Sequence, residues 1–392
     1  MRKVSIFGAT GSIGQNTLDL IARAPGSYDV VALTGGRNVV QLARDAVAVQ
    51  ASLAVTAFDD ALPVLRELLA GTGVEVAGGE AALLEAADRP VDWVMSAIVG
   101  AAGLAPGFRA LVQGRTLALA NKESLVAAGP LLLSQAVRHG ATILPVDSEH
   151  SAVFQALVGE DIAAVERIII TASGGGLRDW PLQALARATV QDAGAHPNWD
   201  MGQRITIDSA SMFNKAMELI ETKEFFGVRP AQIQTIIHPQ SIVHALVGFR
   251  DGALMAHLGP PDMRHAIGYA LHYPERRVLP VARLDLAALA TLEFRAPCDT
   301  RYPALRLARA VMQTGGGAGA VFNAAKEVAL DGFLAGRIGF MDMSGVVEDT
   351  LDAIAQDICL HDVIETLETV LQTDHLARIR AREQVAARPT HR

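Results

Sequence analysis

The first twenty residues constrain the fold of this chain more than any other stretch. Residues 4–7 are mostly apolar and predict a buried strand, and the glycine-rich run at residues 8–14 follows at once. An apolar pattern of helical spacing then continues to Ile21. Glycines between a strand and a helix let the backbone turn tightly and approach a pyrophosphate at the helix N-terminus. The stretch favours dinucleotide binding over a merely tight turn.

The end of the second predicted strand, residues 29–33, indicates which dinucleotide is bound. A protein that binds NAD usually has an Asp or Glu there to hold the ribose hydroxyls. This chain instead has Thr34-Gly35-Gly36-Arg37-Asn38, with no acid. Arg37 can meet a 2′-phosphate, which favours NADP(H). The alternative is that Arg37 is a solvated loop residue.

Strands and helices alternate through the rest of the N-terminal part. Short apolar runs at residues 53–55, 74–76, 93–99 and 116–120 predict strands, and helical patterns lie between them. This alternation predicts an α/β fold with a doubly wound, Rossmann-type parallel sheet, in which ligands collect at the carboxyl ends of the strands. Residues 8–14, 98–100 and 121–124 lie at such ends. Lys122 is therefore either a ligand contact or an ordinary residue of a first helical turn.

Two carboxylates lie at the strand-to-helix junction Pro145-Val146-Asp147-Ser148-Glu149-His150. Residues two apart in an extended segment share a face, so Asp147 and Glu149 can direct oxygens at one hard divalent cation. The alternative is local: an acid before a helix caps it, and one in its first turn offsets the helix dipole.

The second half of the chain changes character. Strands are predicted at residues 167–171, 233–237, 241–247 and 254–258, which suggests an α+β catalytic domain on a mixed or antiparallel sheet. The irregular segment at about residues 174–204, with Trp180 and Trp199, predicts a lid; the alternative is an exposed aromatic on a loose loop. The predicted domains are 1–146, 147–273, a connector at 274–303, and a C-terminal helical bundle at 304–392 with helices at 304–312, 318–334, 344–355 and 363–385.

A further cluster of polar residues lies in the predicted catalytic domain. Asp208 and Ser209 are expected at the N-terminus of a helix, and Asn214, Lys215 and Glu218 on the helix itself. Together they make a phosphate clamp. An exposed Lys–Glu pair would explain Lys215 and Glu218 but not the clustered serines and Asn214.

Composition excludes several classes of protein. A net charge of −8 argues against nucleic acid as the main partner, and no apolar run is long enough to span a membrane. The only cysteines, Cys298 and Cys359, form neither a disulfide framework nor a metal motif, which favours a reducing cytoplasm. Neither has the context of a nucleophile, which argues against a semialdehyde dehydrogenase. The other rival, a redox-sensing binding module, would have no use for Asp147, Glu149 and Glu218 around a metal.

Six ordered motifs together resemble the 1-deoxy-D-xylulose 5-phosphate reductoisomerase family. They are Gly-Ala-Thr-Gly-Ser-Ile-Gly at 8–14, Asn-Lys-Glu-Ser at 121–124, Pro-Val-Asp-Ser-Glu-His at 145–150, His-Pro-Asn-Trp-x-Met-Gly at 196–202, Asn-Lys-x-x-Glu at 214–218 and His-Pro-Gln-Ser at 238–241. The resemblance implies a three-part homodimer that uses NADPH with Mg²⁺ or Mn²⁺, or alternatively Co²⁺. It also implies a sugar-phosphate substrate and the formation of 2-C-methyl-D-erythritol 4-phosphate for isoprenoid biosynthesis.

The resemblance also implies roles for individual residues. The metal ligands are Asp147, Glu149 and Glu218, which with Lys122 form the catalytic set. Substrate contacts are Lys122, Ser148, Glu149, Ser173, His196, Trp199, Ser209, Asn214, Lys215 and Glu218, with Met201 in the lid. Cofactor contacts are Thr10, Gly11, Ser12, Ile13, Gly36, Arg37, Asn38, Asn121, Glu123 and Gly202.

The chain departs from the family pattern at two places. Ser-Gly-Gly-Gly-Leu-Arg at residues 173–178 replaces Ser-Gly-Gly-Pro-Phe-Arg, which affects the stiffness of the lid. Lys326 stands where the family has the second Asn of Asn-Ala-Ala-Asn-Glu, and it is expected to lie away from the site.

Overall fold

The computed structural model describes residues 1–195, 199, 202–357 and 359–389. Its larger sheet has seven strands, all parallel, in the order β4-β3-β2-β1-β5-β6-β7. The strands are β1 Arg2–Phe7, β2 Tyr28–Gly35, β3 Leu53–Thr56, β4 Glu75–Gly78, β5 Trp93–Ser96, β6 Thr116–Leu119 and β7 Thr142–Pro145. The predicted doubly wound parallel sheet is confirmed.

Helices follow the strands of this sheet in turn. They are α1 Ser12–Ala22, α2 Val39–Ala48, α3 Leu62–Leu68, α4 Glu80–Asp88, α5 Leu104–Leu111, α6 Lys122–His139 and α7 Ser148–Ala156. The strand order reverses between β1 and β5, which is where a doubly wound sheet opens a crevice at its carboxyl edge. The loops after β1, β6 and β7 all end at this edge.

The second sheet has four strands in the order β11-β10-β8-β9. They are β8 Val165–Ala172, β9 Ile233–Ile237, β10 Val243–Phe249 and β11 Leu254–Leu258. β8 and β9 are parallel, whereas β10 is antiparallel to β8 and to β11. The sheet is therefore mixed, one of the two predicted arrangements.

The remaining helices are α8 Val190–Ala193, α9 Gln203–Ala210, α10 Phe213–Phe226, α11 Arg264–His272, α12 Leu286–Leu289, α13 Pro303–Thr314, α14 Ala318–Leu334, α15 Asp342–Asp357 and α16 Leu367–Ala387. Residues 182–187, within the predicted lid segment, form a 3₁₀ helix. The four C-terminal helices were predicted within a few residues. They share one hydrophobic core with the second sheet, since Ile168 and Ile170 of β8 belong to the same buried cluster as Phe322 and Phe333 of α14.

The chain forms two compact units, whose boundaries differ from those of the predicted domains. The first unit contains residues 1–124, 132–151 and 262–281, and the second contains residues 125–131, 152–261 and 282–392. The return to the first unit was not predicted. Residues 262–281, which contain helix α11, belong to the first unit. Trp93 Nε1 of β5 donates a hydrogen bond of 3.0 Å to the carbonyl oxygen of Ala270 in this helix.

Within the described residues, no helix has both the length and the apolar character needed to cross a membrane.

Candidate active site

The glycine loop after β1 has a backbone that only glycine permits at two positions. Gly8 has a φ of +87°, and a Cβ there would lie 2.4 Å from the carbonyl oxygen of Ala97. A Cβ on Gly14 would lie 2.4 Å from the carbonyl oxygens of Gly8 and Ala9. The loop therefore packs tightly against the end of β5 and leads into α1 at Ser12. This geometry fits a pyrophosphate at a helix N-terminus, as the sequence predicted.

Arg37 lies in the loop after β2, where the sequence placed it. Its Nη1 donates a hydrogen bond of 2.7 Å to Asp60 Oδ2, and its guanidinium lies 4.2 Å from the centre of the Phe58 ring. This hydrogen bond lowers the pKa of the Asp60 carboxyl. Both charged side chains are about two-thirds exposed, at 64% and 66%. Arg37 is thus a held but accessible cation at the carboxyl edge of the sheet.

Asn38 caps α2, which the sequence analysis did not anticipate. Its Oδ1 accepts a hydrogen bond of 3.3 Å from the amide of Gln41. The side chain therefore has a structural role besides its predicted contact with the cofactor.

Asn121 is a buried hub between the loops after β5 and β6. Its Nδ2 donates to the carbonyl oxygens of Ile98 and Gly100, at 2.6 and 3.0 Å, and to Glu123 Oε2 at 2.8 Å. Its Oδ1 accepts a hydrogen bond of 3.1 Å from the amide of Ser124, so Asn121 caps the N-terminus of α6. Asn121 thus holds two predicted ligand loops together, and the adjacent Lys122 and Glu123 begin α6 from a fixed position.

We call Lys122, Asp147 and Glu149 the strand-end cluster. Lys122 Nζ lies 2.5 Å from Asp147 Oδ2, and the two side chains are only 11% and 14% exposed. Oxygens of Asp147 and Glu149 lie within 4.8 Å of each other, a separation that one cation can bridge. The predicted convergence is confirmed, but its reason differs, because Glu149 lies in the first turn of α7 and not in an extended segment.

Two neighbours complete the surroundings of this cluster. Ser148 Oγ donates a hydrogen bond to Glu149 Oε2. His150 is buried, and its Nδ1 lies 3.9 Å from Asp147 Oδ2. Asp147 also immediately precedes α7, whose first backbone hydrogen bond runs from the amide of Ser151 to the Asp147 carbonyl. The capping alternative therefore stays open.

We call Asn214, Lys215 and Glu218 the helix cluster. They lie on α10, as predicted, and Glu218 accepts from Asn214 Nδ2 at 2.6 Å and forms an ion pair with Lys215 Nζ. Lys215 and Glu218 are buried, at 3% and 0% exposure, which excludes the alternative of an exposed pair. A buried charge pair of this kind is tolerated only with good geometry and further partners.

Asp208 and Ser209 do not lie at a helix N-terminus, which corrects the prediction. They belong to the last turn of α9, and α10 begins only after Met212, which has a φ of +63°. This left-handed residue separates two helices where the sequence suggested one. Ser209 is half-buried, and its Oγ donates to the carbonyl oxygen of Ile205 at 2.9 Å.

The loop that carries Ser173 packs directly on the end of α9. Gly175 has a φ of +68°, and a Cβ there would lie 2.4 Å from Ala210 Cα. The Ser173 hydroxyl accepts a hydrogen bond of 3.1 Å from the Gly175 amide. Ser173 and Ser209, both predicted substrate contacts, thus lie on adjoining segments of the second unit.

Lys326 does not lie away from the predicted site residues. Its Nζ lies 3.0 Å from Oδ2 of Asp208, the neighbour of Ser209 in sequence. Nothing local in the sequence indicated this pair, because its members are 118 residues apart. The one available signal was the departure from the family motif at Lys326.

The remaining predicted lid residues are described only in part. His196 and Met201 lie outside the described residues. Trp199 is half-buried, with its ring 6.2 Å from that of His244. Gly202, predicted to contact the cofactor, precedes α9. The role of the segment as a lid stays a prediction.

Comparison with known proteins gives matches along almost the whole chain. Three family models match: 1-deoxy-D-xylulose 5-phosphate reductoisomerase over residues 4–129, the 1-deoxy-D-xylulose 5-phosphate reductoisomerase C-terminal domain over residues 143–226, and the DXP reductoisomerase C-terminal domain over residues 258–380. The first two cover the Gly8–Gly14 loop, the strand-end cluster and the helix cluster.

Two relatives are highly similar to this chain over nearly its whole length. The 1-deoxy-D-xylulose 5-phosphate reductoisomerase of Jannaschia sp. is 78% identical over 377 residues, covering 96% of each chain. That of Ruegeria pomeroyi is 72% identical over 388 residues, covering 99% of this chain and 98% of the relative.

Solved structures are similar over nearly the full length. The enzyme from Zymomonas mobilis in complex with NADPH has a TM-score of 0.91 and 44% identity, covering 99% of this chain and 100% of its own. A DOX-P reductoisomerase in complex with NADPH, fosmidomycin and magnesium has a TM-score of 0.93 and 41% identity, covering 98% of each chain.

Proposed function

Because this chain belongs to the 1-deoxy-D-xylulose 5-phosphate reductoisomerase family, we propose that Asp147, Glu149 and Glu218 bind the divalent cation of its reaction. The protein is an NADP-dependent oxidoreductase. It converts 1-deoxy-D-xylulose 5-phosphate to 2-C-methyl-D-erythritol 4-phosphate in non-mevalonate isoprenoid biosynthesis, with NADPH and a divalent metal. The observation that carries the metal assignment is the convergence of Asp147 and Glu149 oxygens within 4.8 Å.

The donor set fits a hard cation such as Mg²⁺ or Mn²⁺. All three ligands are carboxylates, which these ions prefer to sulfur or nitrogen donors, and Co²⁺ is also compatible with oxygen ligands. When bound, the cation polarises the ketone and the adjacent hydroxyl of the substrate, and NADPH supplies the hydride for the reduction. The residues of the chain bind and orient the reactants around that chemistry.

Lys122 pairs with one ligand and supplies positive charge. Its ammonium lies 2.5 Å from Asp147 Oδ2, on the first turn of a helix that Asn121 caps. We assign it to the substrate as well, because a cation at this edge is placed to meet a substrate oxygen. The ion pair also reduces the repulsion between Asp147 and Glu149.

The second unit supplies the contacts to the phosphate in this proposal. Ser173, Ser209, Asn214 and Lys215 offer hydroxyl, amide and ammonium donors, which is the chemistry that a phosphate dianion needs. Within the helix cluster, Glu218 holds Asn214 and Lys215 in place through hydrogen bonds. We assign Ser148, His196 and Trp199 to the substrate on the family motifs alone.

The first unit binds the cofactor in this proposal. The tight backbone at Gly8 and Gly14 supports a pyrophosphate site at Thr10, Gly11, Ser12 and Ile13. Gly36, Arg37 and Asn38 take the 2′-phosphate. Asn121, Glu123 and Gly202 complete the set on the family motifs.

We also propose that the enzyme acts as a cytoplasmic homodimer. The family resemblance supports the dimer, and the two cysteines, both exposed and not joined in a disulfide, suit a reducing compartment. Sedimentation of the purified chain gives the oligomeric state.

The direct test mixes the protein with NADPH, Mn²⁺ and the sugar phosphate and follows nicotinamide absorbance. Absorbance is expected to fall only with all three present, and a chelator is expected to stop the reaction reversibly. Asp147→Asn and Glu149→Gln should each weaken Mn²⁺ binding and turnover together, with NADPH binding retained. If a variant binds Mn²⁺ as the wild type does, that residue is not a ligand.

A further inference from the structure

A buried ion pair joins α9 to α14 beside Ser209. Lys326 Nζ lies 3.0 Å from Asp208 Oδ2, and the two side chains are only 5% and 10% exposed. Charges removed from water are tolerated only when they are paired in good geometry. The pair is therefore a fixed point for the last turn of α9.

The two helices differ in how firmly they are held. Helix α14 has 17 residues, and Phe322, Ala325 and Ala329 bury the face around Lys326 in the core. Helix α9 has eight residues, five of them polar, and no side chain caps its N-terminus. A helix of this length has only marginal stability by itself. Its contacts with the core therefore set its position.

The last turn of α9 determines the position of both serines proposed to bind phosphate. Ser209 follows Asp208 directly, and its side chain points about 100° further around the helix. A Cβ on Gly175 would lie 2.9 Å from the Ser209 carbonyl oxygen, so the Ser173 loop rests on this same turn. A shift of α9 would therefore move Ser209 and Ser173 together.

We propose that Lys326 is a positioning residue that, through Asp208, fixes Ser209 and Ser173 for the substrate phosphate. This inference rests on the proposed function, which assigns both serines to the substrate. Lys326 also neutralises Asp208, so that a phosphate dianion does not meet an uncompensated carboxylate one residue from its ligand. The Asn of the family motif carries no charge, so this pair is a departure from that motif.

A double-mutant cycle on the full-length enzyme tests the proposal. Lys326→Asn and Asp208→Asn are each expected to raise KM for the sugar phosphate about tenfold, since displacement of a binding group by ~1 Å is costly. KM for NADPH should stay unchanged. The double variant should raise KM no further than either single variant, because each single change already breaks the same pair, and a return to the wild-type KM in it would contradict the inference.

A second ion pair joins the same two helices on the surface and provides a matched control. Arg204 Nη1 lies 2.6 Å from Asp331 Oδ1, and both side chains are about half-exposed, at 47% and 60%. Asp331→Asn should leave both KM values unchanged. A rise in KM equal to that of Asp208→Asn would show that any loosening of α9 suffices and would overturn the specific role of Lys326.

Two further outcomes decide between the proposals. If the single variants lose thermal stability but keep the wild-type KM, Lys326 is merely structural and the inference fails. Ser209→Ala tests the proposed function separately: an unchanged KM there removes Ser209 from the phosphate site. If Lys326→Asn does not fold, Lys326→Arg, which keeps the charge but changes the donor geometry, should still raise KM, and an unchanged KM would contradict the inference.

Discussion

The pairs Lys122–Asp147 and Lys215–Glu218 contain the same two chemical groups but are built differently. The first joins residues at the ends of two neighbouring parallel strands, β6 and β7, so the order of the sheet sets its geometry. The second joins residues three apart on α10, so helical spacing sets it. In both, a lysine pairs with a proposed metal ligand.

The comparison shows that one chemical arrangement can depend on different parts of the fold. Lys122 and Asp147 keep their separation only while β6, β7 and the start of α6 remain in register. Lys215 and Glu218 keep theirs wherever α10 goes, because one turn contains both. Variants of the two pairs should therefore differ in what else they disturb.

The largest effect is expected from Glu218→Gln. This change keeps the size of the side chain but removes the charge of a proposed metal ligand. Turnover should fall more than about 100-fold, which exceeds the loss typical of residues that only hydrogen-bond to a metal ligand. Melting curves with added Mn²⁺ should show a smaller stabilisation than in the wild type. Glu224→Gln is the control, because Glu224 pairs with Lys223 on the same helix. Equal turnover in the two variants would contradict the assignment.

Lys122→Met should separate the two pairs. Loss of the ammonium leaves Asp147 without its nearby cation, so turnover should fall about 10- to 100-fold. Mn²⁺ should bind at least as tightly as before, because a competing positive charge has gone. Weaker Mn²⁺ binding would mean that Lys122 mainly holds Asp147 in place, which would make the two pairs alike. The measurement is turnover as a function of Mn²⁺ concentration.

An exposed ion pair sharpens the comparison, because Arg37–Asp60 lies at the same sheet edge without burial. Arg37→Ala should weaken NADPH about tenfold and leave NADH nearly unchanged, since it removes a charge-assisted hydrogen bond to the 2′-phosphate. Arg23→Ala, which breaks another exposed pair in the same unit, is the control. Equal losses for the two cofactors would refute the role of Arg37.

The smallest effect is expected at Asn38, an uncharged residue that accepts a hydrogen bond from the amide of Gln41. Local spacing along the chain sets this contact, as it does in the helix cluster. Asn38→Ala should lower the free energy of unfolding by about 1 kcal/mol through loss of the α2 cap. Chemical denaturation measures this change. Asn38→Asp, which can still cap, should retain that stability but weaken NADPH by repulsion. Unchanged NADPH affinity in Asn38→Asp would leave Asn38 with the cap alone.

Sequence reasoning succeeded where geometry follows from spacing or from the order of parallel strands. It placed Asn214, Lys215 and Glu218 on one helix, and it brought Asp147 and Glu149 together, although by the wrong local conformation. Periodicity carries this information directly.

Other features depended on tertiary packing and could not be predicted from the sequence. A non-glycine residue such as Met212 rarely adopts a positive φ, so the break between α9 and α10 had no signal. The pair of Lys326 with Asp208 joins distant helices, and the burial of Lys215 with Glu218 depends on packing around α10. Helix α11, which follows Gly259-Pro260-Pro261, was not predicted.

Helix α11 also has a consequence for the synthesis of the chain. The first unit includes residues 262–281, so the ribosome must make about half of the second unit before the first is complete. Until then Trp93, deep in β5, lacks the Ala270 carbonyl that accepts its indole hydrogen, and Arg2 lacks the Leu271 carbonyl. A fragment that stops before residue 262 would contain the whole glycine loop yet expose the surface that α11 covers. The unit that contains the glycine loop begins the sequence but is expected to be finished late in translation.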